Sequence, residues 1–211
     1  MQKLLSGLPN KNLSIAVSGG PDSMAVLDFV SRTRKVSAII VDHNTGMHQK
    51  ALPVIEEYLS KSNRKITLII KKIDGDPPRG ESKENFWRDK RLEFFHSQET
   101  PIITAHHLDD CIETWFWSAS HGKPRVIPYQ NRNIIRPFLL FRKEELVKWC
   151  EDRNISYVVD PTNNTDQNMR GILRTQVIPG LLKVNPGLHK TIARIVVNDY
   201  AERQAETCQK V

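Results

Sequence analysis

The sequence predicts an α/β protein of three layers, a parallel sheet covered by helices on both faces, with a small helical extension at its C-terminal end. Three observations carry that prediction. Short β-branched runs at 13–17, 36–43, 66–70 and 101–106 alternate with stretches of helical spacing, and strands alternating with helices at this interval form βαβ units. The first run ends in Ser18-Gly19-Gly20-Pro21-Asp22-Ser23, where two glycines stop the strand and proline followed by an acid opens a helix. The second and fourth runs end in Asp42-His43 and His106-His107. Ligands of parallel sheets bind beyond the carboxyl ends of the strands, so three polar clusters converge on one crevice.

Taken in order, 13–17 is a buried strand because it is apolar and β-branched. The turn after it aims backbone N–H groups and a helix dipole at an anion. Its glycines let a phosphate approach without a Cβ in the way, and Ser18 and Ser23 add hydroxyl donors. No Gly-Lys-Ser/Thr follows, so the turn is not of the Walker type. A helix over 48–62 sets Leu52, Ile55 and Leu59 on one face. Strand 66–70 leads into a loop at 74–80 with Gly75, Pro77, Pro78 and Gly80, then a helix over 81–97. Strand 101–106 precedes a helix over 108–120. Beyond residue 121 the pattern loosens: loop at 123–136 with a short strand at 133–135, helix 142–153, strand 155–159, and turn residues at 160–164. Helical stretches at 167–182 and 187–209 follow, with Pro179 and Pro186 near the break. The expected division is one domain over 1–165 and a helical extension over 166–211.

A chain of 211 residues can bury one good core. It has no apolar run long enough to span a membrane, and its first residues are too few and too polar for a signal peptide. Cys111, Cys150 and Cys208 are far apart and form no Cys-x-x-Cys pair. That pattern points to a reducing, cytoplasmic location and away from a zinc or iron–sulfur centre built by this chain alone. A net charge of +7, from 31 basic and 24 acidic residues, suits a polyanionic partner.

Thr104 to Thr114 puts His106 and His107 at a strand end and Asp109, Asp110 and Glu113 on the helix that follows. Asp109 and Glu113, four apart, share a face. Such a set suits a divalent cation, or substrate binding and transition-state stabilisation around a nucleotide and its Mg²⁺. Arg88 and Arg91, three apart, suit phosphate and a pyrophosphate leaving group; a solvated face laced with ion pairs is the competing explanation. Residues 121–143 hold Lys123, Arg125, Arg132, Arg136, Arg142 and Lys143 without one acid. Phosphates attract such a stretch, and Tyr129 within it is expected to stack on an unpaired base.

The hexapeptide 18–23 resembles the pyrophosphate loop of the N-type ATP pyrophosphatases. With Asp42-His43, Glu84, Arg88, Arg91, the 104–114 segment, Ile135-Arg136-Pro137, and Asp160-Pro161-Thr162-Asn163 followed by Arg170 and Arg174, it stands in the order seen in tRNA(Ile)-lysidine synthetases. The resemblance runs over residues 13–187. It implies a Rossmann-like fold of the adenine nucleotide alpha hydrolase type. It also implies a ligase that adenylates the wobble cytidine of a CAU-anticodon tRNA(Ile) with ATP, releasing pyrophosphate, before lysine displaces AMP. By resemblance, Ser18, Gly19, Gly20, Pro21, Asp22, Ser23, Asp42, His43 and His106 bind ATP. Asp22, Arg88, His107 and Asp110 serve catalysis, and Arg91, Asp109 and Glu113 hold lysine or the cytidine. Lys123, Arg125, Arg132, Arg136, Arg170 and Arg174 touch the anticodon stem-loop. The implied cofactors are ATP with Mg²⁺, the ion meeting the protein through Asp110; no protein-only metal site, iron–sulfur cluster or membrane partner is expected. A monomer and a homodimer both remain open.

Three departures stand out. Gly122 to Tyr129 replaces a glycine-rich segment, Gly171 follows Arg170 where the family has asparagine, and a short form without the C-terminal domains of longer relatives is expected. Two alternatives are a tRNA cytidine thiolase of the same superfamily, which needs cysteines, and a nucleotide- or RNA-binding module without catalysis.

Overall fold

The computed structural model describes residues 4–42, 47–159 and 169–209. Its sheet runs in the order β3-β2-β1-β4-β6-β5. The strands are β1 (Leu13–Ala16), β2 (Val36–Asp42), β3 (Ile66–Lys72), β4 (Ile102–Ile103), β5 (Gln130–Asn131) and β6 (Ile134–Ile135). All neighbours are parallel except β5 and β6, which form a hairpin at one edge. The chain steps from β1 to β2 and β3 on one side and returns to β4 on the other, so the strand order reverses between β1 and β4. That reversal opens the crevice in which open α/β sheets bind ligands.

The helices are α1 (Pro21–Ser31), α2 (Met47–Lys61), α3 (Lys83–His96), α4 (Leu108–Ser120), α5 (Lys143–Glu151), α6 (Met169–Ile172), α7 (Ile178–Val184) and α8 (Leu188–Cys208). α1 lies between the sheet and α5 and buries Met24, Ala25, Val26, Leu27 and Val30 together with Leu13 and Ile15 of β1. An element buried on all sides has no polar stripe to show, which is why both read as continuous apolar runs. A second cluster joins Leu108, Cys111 and Ile112 of α4 to Leu188, Ile192 and Val196 of α8. The last helix therefore shares a core with the helix that carries the acidic cluster. Among the described residues, no helix is long and apolar enough to cross a membrane.

Two expectations change. Residues 155–159 form no strand: the Val158 N–H donates to the Gly19 carbonyl at 2.8 Å, so the segment braces the glycine turn. β-branched residues favour extended backbone, but a ladder also needs a strand alongside. The helix expected over 167–182 is broken by a π turn at Leu173–Val177. Pro179 has no N–H for the turn behind it, and the π turn ends two residues before it.

Asp28, a buried helix residue the sequence did not mark, is the polar centre of the main core. Its carboxylate accepts from Arg64 Nη1 at 2.8 Å, Arg32 Nε at 2.9 Å, Trp149 Nε1 at 2.9 Å and Tyr58 Oη at 3.0 Å. Those donors tie α1, α2, the segment before β3, and α5 to one point.

Cys111 and Cys150 are buried and Cys208 is exposed. Burial pushes each of the two interior thiols up to about 12, and a thiol that stays protonated does not attack. Iodoacetamide at about pH 8 is expected to add one group to the native chain, at Cys208, and three after denaturation. Native labelling at Cys111, read by peptide mass, would show instead that the α4 core opens.

Candidate active site

The site grows from the turn after β1. Gly19 has φ +80°, and a Cβ there would sit 2.7 Å from the Ala51 Cβ on α2, so conformation and close approach both demand glycine. The Ser23 hydroxyl closes the turn: it donates to the Gly20 carbonyl at 2.9 Å, accepts from the Ser18 N–H at 3.1 Å, and lies 3.2 Å from Ser18 Oγ. Pro21 opens α1, and the Cys150 thiol supports it from beneath by donating to its carbonyl. Asp22 follows at the positive end of the helix dipole. Its Oδ1 is buried with no hydrogen-bond partner among the described residues, and its Oδ2 lies 3.6 Å from His107 Nε2.

His107 caps α4. Its backbone N–H donates to Asp110 Oδ2 at 3.0 Å while its Nδ1 accepts from the Asp110 N–H at 3.4 Å, a reciprocal capping box built with an imidazole. With Nδ1 an acceptor, the neutral ring carries its proton on Nε2, facing Asp22. A second proton on Nδ1 would face Asp110 at 3.6 Å and Asp109 at 3.8 Å. Burial opposes that charge, yet Asp110, Asp22 and Asp109 outweigh it and raise the His107 pKa. Burial works against ionised Asp110 as well, but the two imidazoles, the His107 N–H and Arg174 hold its pKa below the ordinary value. His106 behaves oppositely: burial first, with the charges of Arg136 and Arg91 adding, lowers it to about 4 despite Asp110. Thr104 Oγ1 fixes its Nδ1 at 2.8 Å.

The remaining predicted residues separate into groups. Asp109 ties His107 to α5 and α8: its Oδ2, 3.8 Å from His107 Nδ1, accepts from the Lys143 N–H at 2.7 Å, and its Oδ1 meets His189 Nε2 of α8 at 3.1 Å. Buried Glu113 receives a two-pronged bond from Arg174, through Nε to Oε1 and through Nη2 to Oε2 at 3.0 Å. Burial pushes the Glu113 carboxyl upward and the guanidinium offsets part of that, while Glu113 keeps Arg174 firmly protonated against burial. Arg88 is exposed on α3 and Arg91 half-buried; Asp42 is half-buried at the end of β2. His43, the side chain of Glu84, and residues 160–163 lie outside the described residues.

The basic stretch divides. Lys123, Arg125 and Arg132 are exposed, as is Arg170 on α6. Arg136 and Tyr129, expected at the surface, are buried at 8% and 7% exposure. Tyr129 packs edge-on against Tyr200 of α8, with ring centroids 4.9 Å apart, so it offers no free face to a base. Spacing showed that the stretch was basic, but not that β6 carries Arg136 inward. Sequence reasoning also missed His189, for which no local signal exists because its partner lies 80 positions earlier in the chain.

A glycine turn at the switch point of a parallel sheet, with a helix N-terminus and a carboxylate facing the crevice, defines a phosphate-binding α/β domain. The PP-loop domain family, an ATP-binding family, matches residues 1–181, and the chain belongs to it. It is 31% identical to a tRNA(Ile)-lysidine synthase of Enterococcus faecalis over 202 residues, 88% of this chain and 44% of that protein. Proteins of the same name from Bacillus subtilis and Francisella tularensis subsp. novicida are 29% and 28% identical, over 89% and 87% of this chain and 44% and 49% of theirs. The chain thus spans about half the length of the curated relatives it matches.

Proposed function

We propose that this chain carries the catalytic chemistry of an ATP-dependent tRNA(Ile)-lysidine synthetase. The C2 carbonyl oxygen of the wobble cytidine attacks the α-phosphorus of ATP, and the bond to the bridging oxygen breaks to release pyrophosphate. The amine of lysine then adds at C2, and the C–O bond to AMP breaks. The observation that carries this reading is His107, buried between Asp22 on the phosphate-turn helix and Asp110 on α4. One imidazole links the nucleotide side of the crevice to the acidic side.

In this reading the glycine turn and the N-terminus of α1 hold the phosphates, and Arg88 and Arg91 on α3 draw off developing negative charge. His107 and Asp110 take the proton that the lysine amine loses as it adds. Asp110 presents negative charge to the lysine cation, and Glu113 acts through Arg174, which it holds beside Asp110. Asp22 and Asp110 would hold Mg²⁺ brought in with the triphosphate. Among the described residues no three His, Cys, Asp or Glu side chains gather to hold a metal ion, and Mg²⁺ in nucleotide sites is ordinarily held by one or two carboxylates plus phosphates. The ion would neutralise phosphate charge.

The test is product identity. With α-labelled ATP, lysine and tRNA, the chain is expected to form AMP and pyrophosphate in an RNA-dependent manner, and digested tRNA should contain lysidine. ADP and inorganic phosphate as coupled products would overturn the reading, and sulfur in the RNA would favour the thiolase.

Lys123, Arg125 and Arg132 form the exposed part of the proposed tRNA surface. Replacing all three by alanine is expected to weaken tRNA binding about tenfold near physiological salt and to lower the slope of log K against log salt by about 2 to 3. ATP affinity should stay the same. An unchanged slope would move the surface elsewhere, with Arg170 the next candidate.

A further inference from the structure

His189 stands in the first turn of α8, one carboxylate away from His107. Its side chain is 14% exposed, and its Nε2 lies 3.1 Å from Asp109 Oδ1. An ionised carboxylate offers acceptors alone, so the imidazole carries a proton on Nε2 and donates it. The other oxygen of Asp109, Oδ2, accepts from the Lys143 N–H at 2.7 Å and lies 3.8 Å from His107 Nδ1. Lys143 is the first residue of α5. One oxygen of Asp109 is thus held by the start of α5 and the other by the start of α8.

Apolar contacts already dock α8: Leu188, Ile192 and Val196 share a core with Leu108, Cys111 and Ile112 of α4. A partly exposed ion pair adds little to that, and the Asp109 side chain, 32% exposed, can turn to water. What His189 adds is geometry. Held by Lys143 alone, the carboxylate can swing about its single bond. With His189 on the second oxygen its plane is fixed, and Oδ2 stays beside His107.

We propose that His189 is a positioning residue for the lysine-transfer step, holding Asp109 where its charge stabilises the imidazolium of His107. This role rests on the reading of lysine as the attacking amine. As the amine nitrogen bonds to C2 it loses a proton, and AMP departs with the electron pair of the C–O bond. The proton passes through the Asp110 carboxylate to His107 Nδ1, where Asp110 Oδ2 and Asp109 Oδ2 face it at 3.6 and 3.8 Å. A charge that forms during reaction is stabilised best by a group already in place. The adenylation step is spared, because the attacking C2 carbonyl oxygen has no proton to give.

The experiment separates the two steps on the whole chain with a CAU-anticodon tRNA(Ile). Adenylated RNA is formed first without lysine and followed by pyrophosphate release; labelled lysine is then added and its transfer timed in a single turnover. His189→Leu fills the space but donates nothing. It is expected to slow lysine transfer about tenfold, the worth of a charge-assisted hydrogen bond, with pyrophosphate release and the KM for lysine within about twofold. His189→Gln, whose side-chain amide can donate from the same place, should recover most of the rate. Asp109→Asn should slow the same step at least as much, and adding His189→Leu to it should cost nothing further. Lysine transfer at the wild-type rate in His189→Leu would overturn the role. Equal slowing of both steps would also overturn it and make His189 a brace for the fold. If His189→Leu does not fold, Asp109→Asn decides: a raised KM for lysine with an unchanged rate would put Asp109 on the substrate and overturn the role. A wild-type chain that forms no adenylated RNA would overturn the functional reading and this role with it; the other outcomes appear only in the variants.

Discussion

Asp22→Ala is expected to lower turnover by about a thousandfold or more while leaving the melting temperature unchanged or slightly higher. The two effects rarely travel together, because most substitutions at buried polar positions cost stability. Here the physics runs the other way. One oxygen of Asp22 is buried with no donor among the described residues, and its other oxygen is 3.6 Å from His107, too long for a strong hydrogen bond. In the ligand-free chain the carboxylate therefore gives up solvation and gains little in return. Groups kept at such a disadvantage mark sites where stability has been yielded to activity. Calorimetry and pyrophosphate release on the same preparation would check both halves. A melting temperature lower by several degrees would make Asp22 a structural residue, and turnover within tenfold of wild type would remove it from the chemistry.

The sheet was legible because its strands are short, apolar and separated by helical spacing; β1, β2 and β3 and the helices α1, α3, α4, α5 and α8 fall within a few residues of where periodicity sets them. The glycine turn was legible for a different reason: Gly19, Gly20, Pro21 and Asp22 each restrict the backbone or the cap in their own way. What stayed hidden depends on partners distant in the chain. Arg136 and Tyr129 lie in a basic, proline-broken stretch that reads as surface, yet β6 and α8 bury both. Arg174 looked like a free cation until its partner Glu113, 61 positions earlier, came into view. Asp109 and Asp110 are adjacent and look equivalent, but α4 points them about 100° apart. One meets α5 and α8 while the other faces the histidines. Asp28 gave no warning at all, since a lone acid in an apolar helix carries no periodic signal.

That hidden carboxylate carries the largest stability effect. Asp28→Ala is expected to cost about 3 kcal/mol, which lowers the melting temperature by roughly 6 to 12 °C for a chain of this size. Four donors would lose their acceptor at once. The cost stays at the lower end of the range for a broken buried pair because Arg32 and Arg64 are 43% and 28% exposed and can turn to water. The sign with pH follows from the direction of the shift. Burial alone would raise the Asp28 pKa, but Arg32, Arg64, Trp149 and Tyr58 together lower it from 3.8. A lowered carboxyl contributes stability that is complete above the unfolded value and lost as pH falls through the folded one. Urea titrations should therefore find the gap between wild type and Asp28→Asn constant from about pH 5 to 8 and narrowing below about pH 4. Tyr58 sets a matching limit at the alkaline end. Burial first, with Asp28 adding, raises it from 10.0 to about 12, so its contribution is full below 10 and fades as pH climbs toward 12. A gap that stayed constant down to pH 2 would mean that Asp28 keeps its donors even when protonated, and that the network holds by hydrogen bonding rather than charge.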